Sequence, residues 1–113
     1  NLDLVTSRAG EQHTLLRALD ATCTPMGGRK LRDWLLHPLV DLEALKRRQD
    51  ALGAFLAQPF LLSQTQESLK NVRDVERTLG RLSQGSGTAR DLKNLSGALQ
   101  VLPDLRANLA ALI

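Results

Sequence analysis

Leucine recurs along this chain at spacings of three and four, with polar residues between. Such spacing gathers apolar side chains on one face of an α-helix, which turns once in about 3.6 residues. The first residues follow another rhythm. Leu2 and Leu4 alternate with Asp3, which suits a short strand or extended entry over residues 1–5, and residues 6–10 read as a turn. Leu15, Leu16 and Leu19 then share a face of a short helix over residues 13–19, and residues 20–24 break it.

The strongest start signal follows. Thr24 can accept from free amides of a first helical turn, and Pro25 stands where a missing N–H costs nothing. The helix so opened runs to residue 36 and stops ahead of Pro38. Leu31, Trp34 and Leu35 form its expected buried face, with Arg29, Lys30 and Arg32 elsewhere around it. On that reading Trp34→Ala should cost about 3–5 kcal/mol.

Asp41 can cap a further helix, with Glu43 in its first turn. Leu42, Leu45, Leu52, Phe55 and Leu56 point to its core face, Arg47, Arg48 and Asp50 lie mid-helix, and Pro59 ends or kinks it. Residues 60–69 make another short helix. From Val72 the spacing Val72, Val75, Leu79, Leu82 is helical again, which would place Arg73, Arg77 and Arg81 in one stripe. Residues 84–87 are a turn. Thr88 to Asp91 resembles a capping box, although Asp reaches back less well than Glu or Gln. Leu92, Leu95, Leu99 and Leu102 form the last stripe, and Pro103 is expected to open a renewed helix carrying Leu105, Leu109 and Leu112. The class is all-α: an irregular bundle of five to six helices in a single domain over residues 1–113, with room for a short extended N-terminal segment.

Composition supports that class. With 113 residues and 42% hydrophobic content the chain is long and apolar enough for one modest core. The aromatics are Trp34, Phe55 and Phe60 only, so the leucine-rich core favours helices over sheet. A net charge of +3 neither demands nor excludes nucleic acid. One cysteine, Cys23, rules out an internal disulfide and fits a reducing compartment. No apolar run reaches the roughly 18–20 residues that span a bilayer, so no membrane partner is expected. Asn1 opens the chain without an initiator Met or a signal pattern, and the expectation is a piece of a longer protein.

Reactive chemistry finds little support. His13 and His37 lack a second ligand at helical zinc spacing, so no metal is expected. Cys23 has no evident base beside it and reads as a structural thiol. No G-x-S-x-G frames a nucleophile. Residues 25–30 lack the first glycine and the Lys-Ser/Thr ending of a phosphate loop, and residues 84–88 precede a helix without a strand before them. No catalytic residue and no cofactor are expected. Arg73, Arg77 and Arg81 could track phosphates or pair with acids. Asp74 and Glu76 beside them, and the absence of interleaved aromatics, favour interhelical or interdomain ion pairs.

Residues 19–39 carry a resemblance. They fit L-D-x-T-x-T-x-M-G-x-R-x-L-[RK]-x-W-[LI]-x-x-P, a stretch of the MutS family of DNA mismatch-repair sensors, through Thr24, Pro25, Met26, Gly27, Arg29, Leu31, Trp34 and Leu35. Asn1 to Leu4 is similar to the family's N-[LI]-[EQ]-L, with Asp3 where Glu or Gln is commoner. Residues 43–52, 72–82, 89–95 and 102–103 resemble its later signatures in the same order, so the likeness covers essentially the whole chain.

The resemblance implies the N-terminal part of the helical core, or lever, domain. The mismatch-binding domain with its Phe-x-Glu segment, the connector, the clamp and the ATPase would lie outside it. Thr24, Pro25, Met26 and Gly27 would start a helix that Leu31, Trp34 and Leu35 pack, and Gly27 would let another helix approach. Arg73, Asp74, Arg77 and Arg81 would form the pairs. The parent protein would be a cytoplasmic, nucleoid-associated, bacterial DNA-dependent ATPase. It would use ATP and Mg in its ATPase domain, bind mismatched double-stranded DNA, pair with a second subunit and recruit a MutL-type protein. This segment would be no enzyme; its partners would be the other domains of its own chain. Two alternatives are an autonomous helical nucleic-acid-binding module using the arginine stripe, and the core of a MutS relative outside mismatch repair.

Overall fold

Short polar side chains set helix starts in this molecule, at the expected Thr24 and Asp41 and also at Thr14 and Asp74, where the spacing predicts no cap. The computed structural model describes residues 3–110 and 112. Among them are α1 (Leu15–Leu19), α2 (Pro25–Leu36), α3 (Leu42–Ala57), α4 (Pro59–Lys70), α5 (Val75–Ser83) and α6 (Ala89–Ala110). Thr24 Oγ1 accepts from Gly27 N–H at 3.0 Å to cap α2, with Pro25 at its first position. Asp41 accepts from Glu43 and Ala44 at 2.9 and 3.4 Å to cap α3. Asp74 accepts from Arg77 N–H at 3.2 Å to cap α5. Gln58 alone separates α3 from α4, where Pro59 takes the first position. These contacts satisfy amides that a helix leaves free at its start.

Residues 3–5 form no strand; Asn1 and Leu2 lie outside the described residues. Instead the carbonyls of Asp3 and Leu4 accept from Leu15 and Leu16 N–H at 3.0 and 2.8 Å. The entry segment thus feeds acceptors to the first turn of α1. His13 belongs to a 3-10 turn (Glu11–His13) rather than to α1, which begins after Thr14 caps it.

The core sits on α6, against which both α4 and α5 pack. Val72, Ala98 and Leu105 are its buried apolar residues, with Met26, Leu69, Val75 and Val101 around them. The face of α6 turned inward therefore carries Asp91, Ala98 and Leu105, two turns apart each time. The leucine stripe expected there is displaced to its flank: Leu92, Leu99 and Leu102 are exposed. Two helices converge on this face, and a small residue such as Ala98, 2% exposed, lets their backbones approach where Leu would not. Pro103 does not restart a helix but lies inside α6, which stays continuous. Proline leaves the carbonyl four residues back without its donor. That carbonyl belongs to exposed Leu99, where water can serve it, while buried Leu105 anchors the next turn.

The other helices depart from their expected faces too. On α2, Leu31 and Leu35 are half-buried and Trp34 is 40% exposed; its ring carries the Arg48 guanidinium of α3 at 3.7 Å. On α3, Leu42, Leu45, Leu52 and Leu56 are exposed, and Phe55 is half-buried. α3 packs on α4 at the margin of the bundle, and among the described residues no second layer covers its leucines. Among the described residues no helix is long and apolar enough to cross a membrane.

Candidate functional site

Charge joins α2 to α5 and α5 to α6. Arg29, one turn into α2, forks onto Asp74: Nη1 and Nη2 donate to the two carboxylate oxygens, each at 2.8 Å. Its Nε and Nη2 also donate to Glu76, at 3.2 and 2.6 Å. The planar guanidinium matches a carboxylate in this bidentate fashion, which a lysine could not reproduce. Asp74 is at once the cap of α5, so α2 is tied to the first turn of another helix. Beside Arg29 the Asp74 carboxyl is lowered to about 2, with Arg77 N–H adding to the effect. The Arg29 guanidinium is raised in turn, by Asp74 first and Glu76 second.

A second junction joins α5 to α6. Arg81 donates to Asp91, and at 3.4 Å to Thr78 Oγ1. Asp91 is buried, and its other oxygen accepts from Thr88 N–H and Thr88 Oγ1, both at 2.9 Å. Asp91 N–H donates back to Thr88 Oγ1 at 3.3 Å, so the capping box closes in both directions. The shorter Asp therefore does reach back. Arg81, then Thr88, hold the Asp91 carboxyl far below the usual carboxylate range. That carboxylate fills the α6 N-terminus, the place where residues 84–88 offered an anion site.

The four residues read as pair-formers have different fates. Asp74 meets Arg29 by its fork and Arg77 at 3.8 Å, and Arg81 meets Asp91. Arg73 precedes the Asp74 cap, lies outside α5 and has no ion pair among the described residues, so residues 73, 77 and 81 are not one helical stripe. Arg29 and Asp91 are pairing partners that the spacing alone does not mark, whereas Glu76 is one of the acids expected to pair. For Asp91 a signal is available: it is the N3 residue of the Thr88 capping box, where a carboxylate is already fixed in place. Gly27 makes its close approach to its own N-terminal loop: a Cβ there would meet Thr24 Oγ1 at 3.1 Å and Thr22 Cβ at 3.3 Å. His37 Nδ1 lies 3.0 Å from Asp33, far along the chain from His13.

The family model described as MutS domain III matches residues 1–112. This chain belongs to the MutS domain III family. It is 44% identical over 112 residues to the DNA mismatch repair protein MutS of Roseiflexus castenholzii, a match covering 96% of this chain and 10% of that protein. The protein of the same name from Listeria innocua is 42% identical over 114 residues, covering 99% and 13%. That of Methanosarcina barkeri is 40% identical over 111 residues, covering 96% and 12%. The chain thus spans about a tenth of the length of the curated relatives it matches. In this MutS domain III chain the Arg29–Asp74 fork joins two of the segments that resemble the family, residues 19–39 and 72–82.

Proposed function

We propose that this chain is a single structural unit within the core, or lever, domain of a mismatch-repair MutS protein, and that it transmits movement rather than performing chemistry. What supports the reading is the Arg29–Asp74 fork, which makes the cap of α5 depend on the position of α2. Packed helices with such discrete couplings can pass a rotation from one end to the other. The parent protein would bind mismatched DNA in an ATP-dependent way, with ATP and Mg held in a separate ATPase domain. A second subunit and a MutL-type protein would be its partners, in the cytoplasm and on the nucleoid. This segment would hold no cofactor and no catalytic residue, and would contact the other domains of its own chain.

The test is Arg29→Lys in the full-length protein, which keeps the charge and removes the fork. Mismatch affinity without nucleotide should stay near normal, while ATP-induced release from mismatched DNA slows. Unchanged release, with the variant as stable as the parent, would overturn the relay.

A further inference from the structure

Positive charge collects in one groove. It has a volume of about 550 Å³ and lies where the loop before α2, the end of α4, α5 and α6 meet. Lys70, Arg73, Arg77 and Arg81 line it, with Asp74 the one carboxylate among the lining residues. Two of the four cations are met from outside the lining, Arg81 by Asp91 and Lys70 by Glu67. The uncompensated positive charge here is therefore that of Arg73 and Arg77 chiefly.

Not all of these groups are free to bind. Arg81 is held by Asp91, and Asp74 is neutralised by Arg29. The other three cations are loosely engaged. Lys70 touches only exposed Glu67 one turn back, the kind of surface pair that water and salt weaken. Arg77 is 73% exposed and stands 3.8 Å from Asp74. Arg73 has no ion pair, and the half-buried Asn94 side-chain amide no hydrogen-bond partner, among the described residues.

We propose that this groove binds a phosphate group, with Arg73 and Arg77 donating to its oxygens and Lys70 supplying a point charge. Guanidinium donors suit a tetrahedral oxyanion because two N–H groups meet two oxygens, and Asn94 can add a neutral donor. The ligand is either free phosphate or a phosphodiester of a nucleic-acid backbone. The site is independent of the relay reading, because it uses cations that the Arg29 fork leaves out.

The test titrates the isotope-labelled chain with inorganic phosphate at constant ionic strength, following the arginine Nε–H and asparagine side-chain signals. Saturable shifts at Arg73, Arg77 and Asn94 are expected, and Arg73→Gln or Arg77→Gln should each weaken binding about tenfold. A short oligonucleotide forms the second arm. Tighter, steeply salt-dependent binding lost in the same variants assigns the ligand as a phosphodiester, and binding no tighter than phosphate assigns it as the free ion. Cys23, the single thiol, lines the same groove and reports without any substitution. A dianionic aromatic disulfide should modify it faster than an uncharged one does, relative to their rates with a small free thiol, and phosphate should protect it where chloride does not. Absence of saturation, equal shifts with acetate, or shifts spread over Arg47, Arg90 and Arg106 outside the groove would overturn the proposal.

Discussion

Asp74 serves three groups through one carboxylate: the Arg77 amide it caps, the Arg29 fork and the Arg77 side chain. Substitution can separate these roles. Asn caps a helix about as well as Asp, so Asp74→Asn should lose the ion pair and keep the cap, whereas Asp74→Ala loses both. In urea unfolding the Ala variant should be the weaker of the two by about 1 kcal/mol. The pH dependence has a definite sign. The folded carboxyl lies at about 2, below the roughly 3.9 of an unfolded aspartate, so the pairing contributes fully above about pH 4 and is lost as pH falls toward 2. The thermal midpoint of the native chain should drop through that window, and Asp74→Asn should shrink the drop. An identical profile in both proteins would show that Asp74 is not the group titrating. Trp34 belongs to the same scale. With the residue 40% exposed and Arg48 over its ring, Trp34→Ala should cost about 1–2 kcal/mol rather than the 3–5 of a core aromatic. Arg48→Ala removes the same cation–ring contact and should by itself cost about 0.5–1 kcal/mol of that loss.

At the scale of the element, three helix starts were legible and helix faces were not. Thr24, Asp41 and Thr88 announce their helices because capping is local: a side chain meets amides two or three residues ahead. A face depends on what packs against it, which spacing within one helix does not specify. On α6 two apolar faces lie side by side, and leucine marks the one left outside while Ala98, Val101 and Leu105 mark the one inside. The same gap hid the α5 start, since Val72 continues the helical spacing but sits ahead of the Asp74 cap, buried in the core. Substitutions tell the two α6 faces apart. Ala98→Leu adds volume to a packed interface and should destabilise by about 1–3 kcal/mol. Leu92→Gln, on the exposed flank, should stay within about 0.5 kcal/mol. Chemical denaturation of the two variants measures both. The reverse order would return the leucine stripe to the core.

For the whole molecule, the consequence is a surface far more apolar than its core is large. Val72, Ala98 and Leu105 are the buried apolar residues, while Leu42, Leu52 and Leu56 of α3 and Leu92, Leu99 and Leu102 of α6 stand exposed. The candidate site shows the same division: Arg73, Asp74, Arg77 and Arg81 were legible as charge, but Arg29 lies about 45 residues upstream of Asp74, and only folding joins them. Exposed stripes of this kind mark surfaces that associate. On α6, Leu92, Leu95, Leu99, Leu102 and Leu109 alternate in steps of three and four apart from Arg106, a spacing that suits packing against another helix. The relay reading supplies that cover from the remainder of a longer chain. The isolated chain, lacking it, should self-associate as concentration rises, and sedimentation should show an average mass climbing above 12.4 kDa. Leu99→Glu combined with Leu102→Lys should return it toward the monomer without loss of helix, because neither side chain belongs to the buried core. A chain that stays monomeric at high concentration would mean that these leucines are too scattered, or too well shielded by their polar neighbours, to act as one surface. The cover expected from the rest of the parent protein would then have to rest on α3 instead.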